Sequence, residues 1–167
     1  MKSGGIYIGL GANLLSPMHG APQQTLAAAV RALEVAGFAI LKRSPWYESA
    51  PIPASDQPWF VNGVVEIGSD LPPEGVLEDL HRVEIAFGRV RSELNTPRTL
   101  DLDLLDYARV VRTGEIPPIL PHPRLQERAF VLFPLRDVAP GWRHPVSGVE
   151  IGKLIAALPA GQQIRRA

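Results

Sequence analysis

Residues 99–107 have the sequence Thr-Leu-Asp-Leu-Asp-Leu-Leu-Asp-Tyr, in which apolar and acidic side chains alternate. A period of two residues is typical of a β-strand with one buried face. Leu100, Leu102 and Leu104 would face a core, and Asp101 and Asp103 would lie together on the opposite face. We predict the fold from the order of this strand and of the strands and helices that precede it along the chain.

The segments that precede this strand have the periodicity of three strands and two helices. The predicted strands cover residues 6–10, 38–41 with an extension to 47, and 61–67, and the predicted helices cover residues 23–36 and 72–87. The order β-α-β-β-α-β predicts an α+β, ferredoxin-like fold, in which helices pack on an antiparallel sheet with both main helices on one face.

The residues after this strand predict a C-terminal appendage to the sheet. Prolines make the chain irregular from residue 117 to residue 123, residues 129–135 are apolar, and residues 151–158 have the pattern of a short helix. Because two independent cores would be small in 167 residues, we expect a single domain over residues 1–167.

The composition excludes several classes of protein. There are no cysteines, so disulfides, thiolate metal sites and a cysteine nucleophile are excluded. The 17 basic and 17 acidic residues give a formal net charge of zero, which argues against a nucleic-acid partner. The chain has neither a signal-peptide apolar region nor the ~20 apolar residues of a membrane span. We therefore expect a cytoplasmic protein without membrane contact.

Asp101 and Asp103 are the candidate metal ligands. Two carboxylates this close on one strand face repel each other unless a cation lies between them. Oxygen ligands without cysteine favour magnesium, and two aspartates on a rigid strand could hold a pair of magnesium ions along a polyphosphate. The alternative is a half-exposed strand whose polar side faces water, and the neighbouring Arg98 favours the metal site over that alternative.

Basic residues around the aspartates are candidate phosphate contacts. Arg82, Arg89, Arg91 and Arg98 precede the strand, and a guanidinium group can contact a phosphate through two parallel hydrogen bonds. The alternative is a solvated helix end followed by a solvated loop. His122, between two prolines, is either a structural loop histidine or a donor to a phosphate.

The chain resembles the 6-hydroxymethyl-7,8-dihydropterin pyrophosphokinase family of folate biosynthesis, from residue 6 to about residue 140. The motifs that carry the resemblance are 11–14 (Gly-Ala-Asn-Leu), 56–58 (Asp-Gln-Pro), 60–62 (Phe-Val-Asn), Glu84, 88–91 (Gly-Arg-Val-Arg), 97–105 and 121–130. The resemblance implies transfer of pyrophosphate from ATP to the hydroxymethyl pterin, which gives AMP and the pterin diphosphate.

The resemblance also implies the roles of the residues on the nucleotide side. Asp101 and Asp103 would bind two Mg²⁺ ions, with ATP as co-substrate, and Arg89 and Arg91 would be catalytic residues on a loop that closes over the nucleotide. Asp101 is the best candidate for a general base. The implied ATP-binding residues are His81, Glu84, Arg91, Arg98, His122 and Arg128. From its position beside an apolar helix stripe alone, Glu84 could equally be a salt-bridge partner.

On the pterin side, the resemblance implies two aromatic residues and a group of smaller ones. Phe60 and Phe130 would lie against the two faces of the flat ring, and the amide of Asn62 would contact its polar edge. The implied pterin-binding residues are Ser49, Ala50, Ile52, Phe60, Asn62, Asp101 and Phe130.

Two segments depart from the family pattern. Many relatives carry a tryptophan shortly before the Pro-Arg of the aspartate strand, whereas this chain has Asn95 in a stretch that is one residue shorter. Residues 116–119 lack the polar side chains that some relatives place against the adenosine. We expect the loop from Arg89 to Pro97 to be mobile without ligand and to close when ATP and the pterin are both bound.

Two other kinds of protein share the β-α-β-β-α-β order. A ferredoxin-like regulatory module that binds a small ligand without catalysis would not need two aspartates on one strand face. An RNA-binding module would carry aromatic residues on its central strands and a basic sheet face. We expect instead a monomer that binds ATP and the hydroxymethyl dihydropterin.

Overall fold

The computed structural model describes residues 3–88 and 99–167. The strands are β1 (Ser3–Ala12), β2 (Ala39–Arg43), β3 (Tyr47–Ser49), β4 (Phe60–Ser69), β5 (Asp101–Tyr107) and β6 (Ile164–Arg166), and the helices are α1 (Pro22–Val35), α2 (Pro73–Ala86), α3 (Ala129–Val138) and α4 (Ile151–Ala156). Within these residues, no helix combines the length and the hydrophobicity needed to cross a membrane.

The strands form an antiparallel sheet in the order β5-β1-β4-β3-β6, with β2 also paired to β4. β2 pairs with residues 65–68 of β4, and β3 pairs with residues 60–62. The strand predicted to extend from residue 38 to residue 47 is thus two strands, because Pro45 has no N–H to give to the ladder. At the interruption, the Ser44 hydroxyl accepts the Val64 N–H at 3.0 Å. The result is the predicted α+β, ferredoxin-like arrangement.

Helices α1 and α2 pack on one face of the sheet, as predicted. Leu102 and Leu104 of β5, and Leu100 directly before it, face this core and are at most 5% exposed. Each aliphatic side chain buried in this way stabilises the fold by about 1.5–3 kcal/mol. The largest fully buried side chains in the core are Ile6, Ile8, Leu26, Leu33, Ile67, Leu80, Leu100 and Leu120.

The predicted C-terminal appendage covers the other face of the sheet. The apolar segment 129–135 is the first part of α3, which packs on β4 and against α4. Together with the buried Trp142, these elements form a second core. Pro134 lies inside α3, where a proline removes one intrahelical hydrogen bond and hides the helical pattern in the sequence. β6 then pairs with β3 and extends the sheet.

A β-bulge in β5 follows the aspartate face. The pairing of β1 with β5 shifts between Tyr7 and Ile8, which leaves Leu105 as an extra residue. Leu105 is buried in the second core, and Asp106 accepts a hydrogen bond from the Trp142 indole N–H at 2.9 Å. Burial raises the pKa of Asp106. This carboxyl group therefore belongs to the packing of the second face, apart from the aspartate pair.

Gly63 is a position where the fold requires the absence of a side chain. A Cβ atom there would lie 2.4 Å from Cζ3 of Trp46. We expect Gly63→Ala to lower the free energy of unfolding by about 1–3 kcal/mol, because the indole must move away. Gly152→Ala in α4 is the matched control, since nothing lies within 4 Å of its added Cβ, and it should leave stability equal or slightly higher. Urea unfolding measures both variants, and equal stability of the two would contradict this account.

Candidate functional site

A cavity of about 890 Å³ opens on the sheet face that α3 covers, at the N-terminal end of that helix. Parts of β1, β4 and β5 form its floor. Its walls are the segment 49–55 after β3, residues between 124 and 131 around the start of α3, and residues 159–163 before β6. The volume is in the range of small-molecule sites.

Asp101 and Asp103 line this cavity from β5, and both are half-buried. In the antiparallel register, Asp101 lies opposite Gly11 and Asp103 lies opposite Gly9 of β1. Directly opposite residues share a face of the sheet. The two glycines therefore leave open space beside the carboxylates, where larger residues would place side chains.

The residues around this space fit magnesium bound together with a polyphosphate. Asp101 and Asp103 supply hard oxygen ligands from a rigid strand. Among residues 3–88 and 99–167, no group of three or more His, Cys, Asp and Glu residues is placed to hold a metal ion. Mg²⁺ in phosphate-transfer sites is usually held by one or two carboxylates, with phosphate oxygens and waters completing the coordination. A pair of aspartates is therefore a sufficient protein contribution.

The predicted pterin-binding residues of β4 and α3 line the same cavity. Phe60 and Phe130 both contribute to its surface. Asn62, two residues after Phe60 and on the same strand face, is buried and donates from Nδ2 to Ser49 Oγ at 2.7 Å. This hydrogen bond fixes the amide, and its Oδ1 lies close to Gly11, where a Cβ atom would be only 3.1 Å from it. The amide oxygen thus lies over a part of the floor that has no side chain.

The segment between β3 and β4 is held at its far end by Asn13. Its Nδ2 donates to Gln57 Oε1 at 3.2 Å and to the Pro58 carbonyl at 3.3 Å. The Gly-Ala-Asn-Leu and Asp-Gln-Pro motifs therefore contact each other. Ala50 and Ile52 line the cavity from the same segment, and Ile52 lies at the open rim because it is 59% exposed.

Two arginines border the cavity near the start of α3. Arg128, a predicted phosphate contact, lines the cavity and has its guanidinium carbon 5.4 Å from the centre of the Phe130 ring. A predicted phosphate contact and a predicted pterin contact thus adjoin each other. Arg124 also lines the cavity, although the sequence did not single it out.

His122 is held beside β5 with one ring nitrogen occupied. Its backbone N–H donates to the Leu105 carbonyl at 2.9 Å, and its ring Nδ1 accepts the Arg124 backbone N–H at 3.2 Å. Burial lowers the pKa of His122, and the nearby Arg128 lowers it further, against the opposing effect of Asp101. The neutral ring therefore predominates near pH 7 and carries its proton on Nε2, which makes Nε2–H a donor.

Glu84 and His81 lie outside the cavity lining. Glu84 is fully buried in α2, and its Oε2 accepts the Leu102 N–H at 3.0 Å. This hydrogen bond joins α2 to the aspartate strand, which gives Glu84 a structural contact that the sequence alone did not indicate. His81 is half-buried on the same helix. For both residues, contact with the nucleotide stays a prediction.

The predicted closing loop lies outside the described residues. This applies to Arg89, Arg91 and Arg98, and to Asn95 at the position where many relatives carry tryptophan. Their contacts with phosphate and the closure of the loop stay predictions.

Several cavity residues are absent from the sequence prediction. Gly9 and Gly11 did carry a signal, because glycines at alternate positions of a strand mark a place of close approach on one face. Residues 159–163 carry no comparable local signal. They reach the cavity only because α4 and β6 place them there.

Comparison with known proteins shows the family of this chain. The sequence profile of the family described as 7,8-dihydro-6-hydroxymethylpterin-pyrophosphokinase (HPPK) matches residues 7–140. The chain is 39% identical over 156 residues to the 2-amino-4-hydroxy-6-hydroxymethyldihydropteridine pyrophosphokinase of Pseudomonas aeruginosa, which covers 92% of this chain and 91% of that protein. The enzyme of the same name from Synechocystis sp. is 39% identical over 153 residues, covering 90% of this chain and 74% of that protein.

Two longer proteins contain a similar region. The folic acid synthesis protein fol1 of Pneumocystis carinii is 39% identical over 146 residues, which is 87% of this chain but 19% of that protein. The crystal structure of wild-type Plasmodium falciparum HPPK-DHPS with STZ-DHP has the same fold, with a TM-score of 0.70 at 13% identity over 93% of this chain and 43% of that chain. The profile match and the Pseudomonas aeruginosa relative show that this chain belongs to the 7,8-dihydro-6-hydroxymethylpterin-pyrophosphokinase family.

Proposed function

We propose that the cavity at the start of α3 is where this chain carries out the reaction of its family, the transfer of pyrophosphate from ATP to 6-hydroxymethyl-7,8-dihydropterin. The observation that carries the proposal is the position of Asp101 and Asp103 opposite Gly11 and Gly9. Carboxylates with open space beside them, in a cavity also lined by two aromatic rings, suit a charged nucleotide and a flat pterin together.

Asp101 and Asp103 are the proposed ligands of two Mg²⁺ ions that arrive with ATP. Magnesium, when bound, neutralises the charge of the triphosphate and orients it for displacement at phosphorus. The rigid strand β5 keeps the two carboxylates on one face, so this pair of ligands does not have to reorganise when ATP binds. The half-buried position of both residues supports this role, because the carboxylates remain accessible from the cavity.

The pterin ring is proposed to lie between Phe60 and Phe130. Offset stacking on aromatic faces stabilises such a complex by about 0.5–1.5 kcal/mol beyond burial. The Oδ1 atom of Asn62 accepts an N–H from the polar edge of the ring, since the hydrogen bond from Nδ2 to Ser49 Oγ orients the amide with Oδ1 beside Gly11. The other proposed pterin contacts are Ser49, Ala50, Ile52 and Asp101.

In the proposed reaction, the hydroxymethyl oxygen of the pterin forms a bond to the β-phosphorus of ATP. The bond between that phosphorus and the oxygen that bridges to the α-phosphate breaks, and AMP leaves with the bridging oxygen. The hydroxyl proton passes to the carboxylate of Asp101. Positioning of the two substrates supplies most of the acceleration.

The phosphates are proposed to be held by basic groups from both sides. Nε2–H of neutral His122 and the guanidinium of Arg128 donate to them from the side of α3. Glu84 and His81 are proposed to act near the nucleotide from α2. The proposed contacts from the loop and the strand edge are Arg89, Arg91 and Arg98.

We also propose that residues 1–167 form one catalytic domain that acts as a monomer. The two hydrophobic cores lie on opposite faces of one sheet, which supports a single folding unit.

The direct test is to identify the nucleotide product. We expect the protein to release AMP when it is incubated with ATP, MgCl₂ and the hydroxymethyl dihydropterin, and to release none when EDTA removes the magnesium or when the pterin is omitted. Anion-exchange chromatography separates AMP from ADP. Release of ADP would mean transfer of a single phosphoryl group, and full activity in EDTA would contradict the magnesium proposal.

A further inference from the structure

The chain after α4 returns to the cavity and forms one of its walls. Residues 159–163 line the cavity, and Gly161 has a φ of +90°, in the left-handed region that glycine adopts without strain. This tail lies beyond residues 7–140, which the family profile matches.

The side chain of Gln162 forms two hydrogen bonds that flank Arg128. Its Nε2 donates to the Glu127 carbonyl at 2.8 Å, and its Oε1 accepts the Ala129 N–H at 2.9 Å. Ala129 is the first residue of α3, and the helix itself provides no acceptor for its N–H. The carboxamide therefore fixes the backbone on both sides of Arg128.

The same tail is attached to the opposite wall of the cavity. The Gln163 carbonyl accepts the Ala50 N–H at 3.1 Å, and Ile164 pairs with Ser49. Arg165 then contacts Glu48 Oε2 through two guanidinium nitrogens, at 2.8 and 3.0 Å. The tail thus links the pterin-facing segment to the residues around Arg128.

We propose that Gln162 is a positioning residue that holds Arg128 against the phosphates of ATP. The inference rests on the proposed function, because it takes Arg128 to be a phosphate contact. Arg128 lies between the two hydrogen bonds and has φ and ψ of −117° and 111°, outside the helical region. The Arg128 carbonyl accepts the Val131 and Leu132 N–H groups of α3 at 3.1 and 3.0 Å, and the Arg128 N–H donates to the Leu125 carbonyl at 3.3 Å. In each of the two peptide units that flank Arg128, Gln162 binds the other polar group, which is the Glu127 carbonyl in one and the Ala129 N–H in the other. Without the Gln162 carboxamide, each of these peptide units would lose one of its two hydrogen bonds, and the Arg128 backbone could shift and move the guanidinium away from the phosphates.

The test is a double-mutant cycle between Gln162 and Arg128. The readouts are the affinity for a nonhydrolysable ATP analogue with magnesium and kcat/KM for ATP. We expect Gln162→Ala to lower both by about tenfold in the wild-type background, and by less than about twofold when Arg128→Ala is already present. Gln23→Ala, an exposed position in the first turn of α1, is the control and should change neither value.

Two outcomes would overturn the inference: affinity equal to that of the wild type, or the same loss in both backgrounds, which a purely structural role would give. Gln162→Glu retains an acceptor for the Ala129 N–H but loses the donor to the Glu127 carbonyl. If Gln162→Ala does not fold, the double-mutant cycle with Arg128 is measured with Gln162→Glu instead. Failure of the wild-type protein to release AMP would contradict the proposed function, whereas the cycle on ATP-analogue binding would still test Gln162.

Discussion

Asp103→Asn should lower kcat by about a thousandfold and leave the fold intact. Asparagine retains the volume and one oxygen of the side chain, but it removes the negative charge that would hold magnesium beside the phosphates. Loss of several kcal/mol of charge stabilisation in the transition state corresponds to a factor of this size. Since two neighbouring carboxylates become one, the thermal midpoint in EDTA should equal or exceed that of the wild type.

AMP release at high ATP and pterin concentrations measures the first effect, and thermal unfolding in EDTA measures the second. Asp101→Asn should behave in the same way, because Asp101 shares the strand face. Asp70→Asn is the matched control, since Asp70 is an exposed carboxylate directly after β4 and should retain full turnover. Near-normal turnover of Asp103→Asn would show that this face of β5 is simply solvated.

The second large effect is expected at Phe130, one of the two phenylalanines that line the cavity. Phe130→Ala should raise the dissociation constant of the pterin by about thirtyfold and change ATP-analogue binding by less than about threefold. Loss of one stacking face removes roughly 2 kcal/mol of contact and burial from the pterin complex. Phe130 is only half-buried at the cavity, so its removal leaves the second core largely in place.

Isothermal titration with each ligand measures this selectivity. Phe133→Ala is the matched control in the same helix, because Phe133 packs near Tyr47 and lies outside the cavity lining. Phe133→Ala should lower the free energy of unfolding, but it should not weaken pterin binding more than ATP-analogue binding. Equal weakening of pterin and ATP-analogue binding by Phe130→Ala would mean that Phe130 acts as packing for α3 and not as a face of the pterin site.

Local sequence patterns were sufficient to predict most of the regular elements. Alternation placed Leu102 and Leu104 of β5 in the core beneath α1 and α2, and the helical period located α1 and α2 to within two residues at their ends. The patterns failed where a proline removed a backbone donor. Pro45 divided one predicted strand into β2 and β3, and Pro134 hid helix α3 in an apolar segment.

Some residues of the candidate site could be predicted from the sequence, whereas other contacts near it could not. The family motifs supplied Phe60, Asn62 and Phe130, and the structure brings these residues into one cavity with the aspartates. The motifs did not show that Glu84 accepts the Leu102 N–H, because a contact between helix and strand depends on how the two elements pack.

The sequence by itself determined the element order, the shared face of Asp101 and Asp103, and the family, because these depend on residue periodicity and on short motifs. Only the tertiary structure decided that residues 159–163 form a wall of the cavity and that Gln162 bonds to both sides of Arg128. These contacts join residues that are more than 30 positions apart. No local pattern encodes them, since they exist only once α3 and α4 have packed on the second face of the sheet.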